Sequence, residues 1–153
     1  MKLVGKNGLS GWIEITMAFL MVVAAILMIT LPWSIPYVTD RRPGDPEGYY
    51  YRYMVVLLIS GMLAELILWQ GKGIMRNVNA GNPFCRDTVR RLKVVGIECL
   101  VLGAFYGAAV FFVTKVFMVV VLVTFLVVGL SLLVFSELFR QAVAYKEEND
   151  MTI

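Results

Sequence analysis

Glu65 and Glu98 are the residues of this chain best placed to do chemistry, because each stands inside a long apolar run. An unpaired carboxylate in such surroundings costs on the order of several kcal/mol, so it must face a partner, a cavity or a proton. Two carboxyls sharing one low-dielectric site titrate as a coupled pair, which suits a proton or cation site. The alternative is structural: both are protonated, or they pair with Arg76, Arg90 or a snorkelling Lys72 and hold helices together. Two further glutamates, Glu14 and Glu137, stand at the ends of apolar runs, where interfacial ion pairing is the expected role.

Several classes of chemistry are disfavoured. Histidine is absent, which removes the commonest general base and metal ligand. Carboxylate-bridged metal centres in helical bundles normally use Glu-x-x-His pairs, and the chain has none. Cys85 and Cys99, carried on one helix, would lie about 21 Å apart and could not bridge each other. No phosphate-cradling glycine loop, nucleophile elbow or cysteine-pair motif occurs. Neither a metal nor a cofactor is therefore expected, and the chain reads as a non-enzyme. An interfacial lipid-modifying enzyme using carboxylates as acid and base remains an alternative, without a substrate pocket that can be read.

The elements that must position these residues follow from hydropathy. The chain is 59% hydrophobic over 153 residues, with a mean hydropathy of +0.78, too apolar for an ordinary soluble surface. Four runs suffice to cross a hydrocarbon core of about 30 Å: residues 13–33, 51–70, 94–114 and 116–136. The first follows Lys2 and Lys6 like a signal sequence, but its length and the lack of an A-x-A site mark it as a retained span. Pro36, Pro43, Gly44, Pro46 and Gly48 predict an irregular loop from Pro36 to Arg52, flanked by a belt of tyrosines and Trp33. Thr114 and Lys115 mark a tight turn between the last two spans. Basic residues concentrate in the amino-terminal segment, in residues 71–93 and in the tail 137–153, which places all three in the cytoplasm. The expected fold is one all-α domain over 1–153, an integral membrane four-helix bundle with cytoplasmic termini and a multi-pass location in a cell membrane.

The stretch "GNPFCRDTVRRLK" turns the second span into the third. Gly81 suits a left-handed cap, Asn82 an N-cap and Pro83 the first helical position, with Phe84 beside them, so helices two and three extend into a cytoplasmic helical hairpin. Arg86, Arg90 and Lys93 then fall on one face, and Asp87 can pair with Arg90 or Arg91. With the tip between Gly81 and Asn82, Glu65 and Glu98 both lie about 25 Å down their helices and at one depth. Counting about the second turn puts Glu137 level with Leu92, near Arg91 and Lys93. Gly103 and Gly107 form a G-x-x-x-G that admits close helix packing, within the bundle or in a homodimer. The basic residues Arg86, Arg90, Arg91 and Lys93 suit lipid headgroups or a cytosolic protein, and no groove-reading fold accompanies them that would argue for direct nucleic-acid binding.

The segment "AGNPFCRDTVRRLKVVG" resembles the G-x-P-F and basic R-L-K lead-in of the YoaS-like family of uncharacterised bacterial four-span membrane proteins. The ending "EENDMTI" is similar to that family's acidic tail. An asparagine often found shortly after P-F in the family is replaced here by Asp87 and Thr88. The resemblance implies a membrane anchor or inhibitor of a small helix-turn-helix regulator. The expected function is accordingly a membrane component that presents the basic hairpin and acidic tail to a cytosolic regulator. A small proton- or cation-coupled transporter using Glu65 and Glu98 is the rival.

Overall fold

A computed structural model describes residues 9–111 and 116–151. The anticipated turn at Thr114 and Lys115, the basic residues Lys2 and Lys6, and the terminal Ile153 lie outside the described residues. Four helices account for nearly all the rest: α1 Leu9–Thr39, α2 Tyr49–Asn79, α3 Arg86–Ala109 and α4 Val116–Met151. All four are long and apolar enough to cross a membrane.

The helices do not close into a symmetrical bundle. Each packs against its neighbours in the chain, α1 on α2, α2 on α3 and α3 on α4, and no backbone contact joins α1 to α4. A third of the apolar stretch of α3 is buried but none of that of α1. The order is thus a folded row with α3 inside and α1 outside. In water so many exposed apolar side chains, Phe19, Ile29, Trp33 and Phe117 among them, would be untenable as a surface. Against hydrocarbon they are the expected exterior.

Glycines set the closest approach. A Cβ built on Gly129 would stand 3.0 Å from the backbone oxygen of Gly96, and one on Gly96 would stand 3.2 Å from the oxygen of Gly129. The two helices therefore touch backbone to backbone at this pair. Gly103 and Gly107 face α4 as well, against Leu122, Phe125 and Leu126, so the G-x-x-x-G serves packing inside the chain. Their neighbours stand 3.4 to 3.6 Å away, ordinary contact distance. Between α1 and α2 the fit is thioether into notch, Met28 against Gly61 and Met17 against Gly71. An apolar cluster of Val56, Ala109 and Met118, with Tyr53, Phe105 and Tyr106 around it, ties α2, α3 and α4 together at the end opposite the hairpin.

The first loop is shorter than its prolines suggest. α1 runs through Pro32 and Pro36 to Thr39 and ends where Asp40 takes φ 53°, so the connection spans only residues 40–48. Pro36 has no N–H for the carbonyl of Pro32, four residues earlier, and the Tyr50 hydroxyl donates to that oxygen at 3.1 Å instead. Ser34 and Thr39 hydroxyls donate to the carbonyls of Thr30 and Ile35 in the same turns. Where no water competes, a replacement donor such as the Tyr50 hydroxyl lets a helix carry proline.

The hairpin tip is built as a Schellman motif. Gly81 takes φ 76°, its N–H donates to Val78 O at 3.0 Å, and Asn82 N–H donates to Asn77 O at 3.1 Å. The expectation for Gly81 holds, whereas that for Asn82 and Pro83 does not. α3 begins at Arg86 with Cys85 as the extended N-cap residue, three positions later than the sequence suggested. Pro83 forces its predecessor out of helical geometry, and Phe84 stacks on Phe139 of α4 with ring centroids 5.3 Å apart, which holds the chain extended before it turns. Asn82 is left free to accept a hydrogen bond from Lys146 Nζ at 2.9 Å.

Candidate functional site

The polar residues gather at the hairpin end, in three groups that the helices position separately. The first is a knot between α2 and α3. Asn77 donates to Asp87 Oδ2 at 2.9 Å and to Thr88 Oγ1 at 3.1 Å, and Thr88 is 1% exposed. Cys85 Sγ lies 3.2 Å from the same hydroxyl. Arg91 donates to Asp87 at 2.7 Å and reaches across to Gln70 Oε1 at 3.0 Å. It fits over α2 only because Gly73 has no side chain, since a Cβ there would collide with the guanidinium. Hydrogen bonds from Arg91 and then Asn77 hold the Asp87 carboxyl below the usual aspartate range. Of the two partners anticipated for Asp87, the structure selects Arg91.

The second group joins the hairpin to the far end of α4. Arg86 grips Glu147 with two parallel bonds of 2.9 and 2.7 Å, a fork geometry that a lysine could not reproduce. This pairing keeps the Glu147 carboxyl below its ordinary value. Glu137 pairs with Arg140 one turn on, while Lys93 lends a further attractive charge to it, as the counting about the second turn anticipated. The basic residues consequently do not act as one stripe. Arg86 is spent on α4 and Arg91 on α2, and Arg90 and Lys93 alone of the four remain exposed without a direct ion pair.

The third group is a cleft of about 690 Å³ whose floor is α2. Glu14 and Met21 of α1 form one wall and Asp87 and Arg91 of α3 the other, and Trp69, Lys72 and Arg76 line the floor. Glu14 is held here by Asn79, which donates to its carboxylate at 2.5 Å. This cleft was not legible in the sequence, because α1 and α3 meet it from opposite sides of α2 and only the lateral order of the helices reveals that.

Glu65 and Glu98 lie deeper. Asn77 sits opposite Asp87, Glu65 is twelve residues before the one and Glu98 eleven after the other, so both stand at one level, about 17 Å from the knot. Glu65 Oε1 and Glu98 Oε2 are each buried without a hydrogen-bond partner. Among the described residues no ion pair joins either to Lys72, Arg76 or Arg90. Nor do three or more Cys, Asp or Glu side chains converge there as metal ligands.

Comparison with curated proteins and with solved structures yields no match. A family model does match, over residues 30–153, from the last turns of α1 through the loop, the hairpin knot, the glycine contact of α3 with α4 and the tail that Arg86 grips. That span takes in all but the first 29 residues, and by it this chain belongs to the family described as Protein of unknown function (DUF2975).

Proposed function

We propose that the protein is a non-enzymatic, multi-pass component of a bacterial cell membrane that presents one assembled platform to a cytosolic partner. The platform consists of the α2–α3 hairpin and the outer part of α4. The observation that carries this reading is the docking of the α4 extension on the hairpin by Arg86–Glu147, Lys146–Asn82 and Phe84–Phe139. At 36 residues α4 is about 54 Å long, far more than a bilayer core needs, and the surplus is fastened to the hairpin by side-chain bonds and a ring contact. The Lys and Arg asymmetry favours a cytoplasmic position for this end. The resemblance to YoaS-like proteins supports a helix-turn-helix regulator as the partner. Arg90 and Lys93, free of the internal ion pairs, are the charges offered outward. An Arg90→Glu, Lys93→Glu double variant keeps the hydrogen bonds of the knot and the Arg86 grip on Glu147, while it turns the attraction of Arg90 for Asp87 and of Lys93 for Glu137 into repulsion. Affinity capture of the regulator from detergent-solubilised membranes should fall by at least about tenfold in that variant, two reversed rim charges being worth some 1.4 kcal/mol or more. Undiminished capture sinks the platform reading.

The unpartnered oxygens of Glu65 and Glu98 at one depth favour a second reading, a proton- or cation-coupled carrier. Proteoliposomes of the parent protein should then show proton flux that a Glu65→Gln, Glu98→Gln variant lacks. Flux no greater than in empty vesicles eliminates it.

A further inference from the structure

We propose that the cleft between α1, α2 and α3 is a binding site for an anionic phosphate ester, with Lys72 and Arg76 as its two cationic contacts and a phospholipid headgroup as its occupant. The proposal rests on the membrane placement above but not on the platform.

The charges of the cleft do not cancel once internal pairs are removed. Asp87 is paired with Arg91 and Asn77, and the neutral amide of Asn79 orients the Glu14 carboxylate without cancelling its charge, so the lining, with Lys72, Arg76 and Arg91 against Glu14 and Asp87, carries a net +1. Lys72 and Arg76 line the cleft, and their side chains make no ion pair or hydrogen bond among the described residues. They stand one turn apart on α2, and Trp69 lies one turn before Lys72 on the same face. Trp69 is 62% exposed, and Met21 gives the opposite wall an apolar surface. A site with a net positive charge, two cations free of direct pairs above and an aromatic and a thioether below, fits an amphiphile: phosphate against the cations, glycerol and upper acyl chain along the tryptophan. The depth agrees. The apolar run of α2 ends at Gln70, so Lys72 and Arg76 occupy the headgroup level, where an indole also prefers to sit. Basic clefts between spans are the expected places for anionic lipid heads.

The walls explain why the site is open. α1 and α3 both pack on α2 but not on each other, so the groove between them is not filled by side chains. Its volume, about 690 Å³, is within the range of small-ligand sites.

The test is native mass spectrometry of the detergent-purified full chain titrated with phosphatidylglycerol or phosphatidylcholine, with soluble sn-glycerol 3-phosphate as competitor. Retention of phosphatidylglycerol over phosphatidylcholine is expected. It should fall about twenty-fivefold in a Lys72→Gln, Arg76→Gln variant, each cation near an anionic headgroup being worth about fivefold. It should persist in a Lys72→Arg, Arg76→Lys variant and in the Arg90→Glu, Lys93→Glu variant, whose charges lie outside the cleft. Millimolar glycerol phosphate that fails to displace the lipid identifies a lipid site, and displacement identifies a soluble phosphate ester bound by the same two cations. Equal retention of the two lipids, or retention unchanged in the Lys72→Gln, Arg76→Gln variant, overturns the proposal. Melting in lipid-free detergent should be the same for the parent and that variant, which separates lost binding from lost folding.

Discussion

Gly129→Leu should destabilise the protein by about 3 kcal/mol, at the upper end of what overpacking a well-fitted contact costs. The reason is backbone rather than side chain. A Cβ at this position meets the side chain of Leu100 at 2.9 Å and the main-chain oxygen of Gly96 at 3.0 Å, and the oxygen cannot swing aside. In hydrocarbon there is no hydrophobic gain to offset a widened gap, because lipid is as apolar as leucine, and close packing at small residues is what holds spans together. The matched control lies on the same interface. Gly107→Ala places its Cβ 3.5 Å from Leu122 and should be neutral or stabilising by about 0.5 kcal/mol, the ordinary helix preference of alanine over glycine. Unfolding midpoints in mixed micelles measure both. Since the grip of Arg86 on Glu147 depends on α4 lying close to α3, Gly129→Leu should also expose the outer part of α4 to protease. Equal midpoints for the two variants would show that the glycine contact does not set the spacing of the helices.

That contact also shows what a sequence hides. The spaced pair Gly103 and Gly107 announces itself as a motif, yet it sits at ordinary contact distance, while Gly96 and Gly129, far apart in the chain and in no motif, make the closest backbone-to-backbone approach among the described glycines. Hydropathy marks runs along the chain, and it therefore found four helices long and apolar enough to cross a membrane, while counting from the turns gave the shared level of Glu65 and Glu98 and brought Glu137 near Lys93. It carries no lateral information. Neither the open row of helices nor the cleft over Lys72 and Arg76 could be read from it. Local rules succeeded where one residue's own backbone decides, as at Gly81, and failed where a distant partner intervenes. Pro36 reads as a break until Tyr50 supplies the missing donor, and Asn82 reads as a cap until Phe84 finds Phe139. The cations of the hairpin look like one surface because the partners of Arg86 and Arg91, Glu147 and Gln70, lie in other helices.

Arg91→Leu should loosen the hairpin and at the same time change how stability depends on pH. The guanidinium is 29% exposed and bonds Asp87 and Gln70 across the α2–α3 junction, over the notch at Gly73. A buried charge-assisted bond contributes about 1.5–3 kcal/mol, but Asp87 is 48% exposed and water screens it, so a loss of about 1–2 kcal/mol at neutral pH is expected for the whole junction. The pH profile separates this cause from simple misfit. In the folded parent the Asp87 carboxyl titrates below its unfolded value of about 3.9, which means that its contribution is complete above about pH 4 and is lost as the pH falls through the depressed folded value. Removing the guanidinium lets the carboxyl return toward its ordinary range. The parent should thus lose stability on acidification from pH 5 to pH 2.5 more steeply than the variant, and the two midpoints should converge at the acid end. Arg91→Lys keeps the charge but not the fork, so it should retain the acid slope while losing the reach to Gln70. Parallel profiles for parent and Arg91→Leu would mean that Asp87 does not depend on this guanidinium, and the knot would then rest on Asn77 and Thr88 alone.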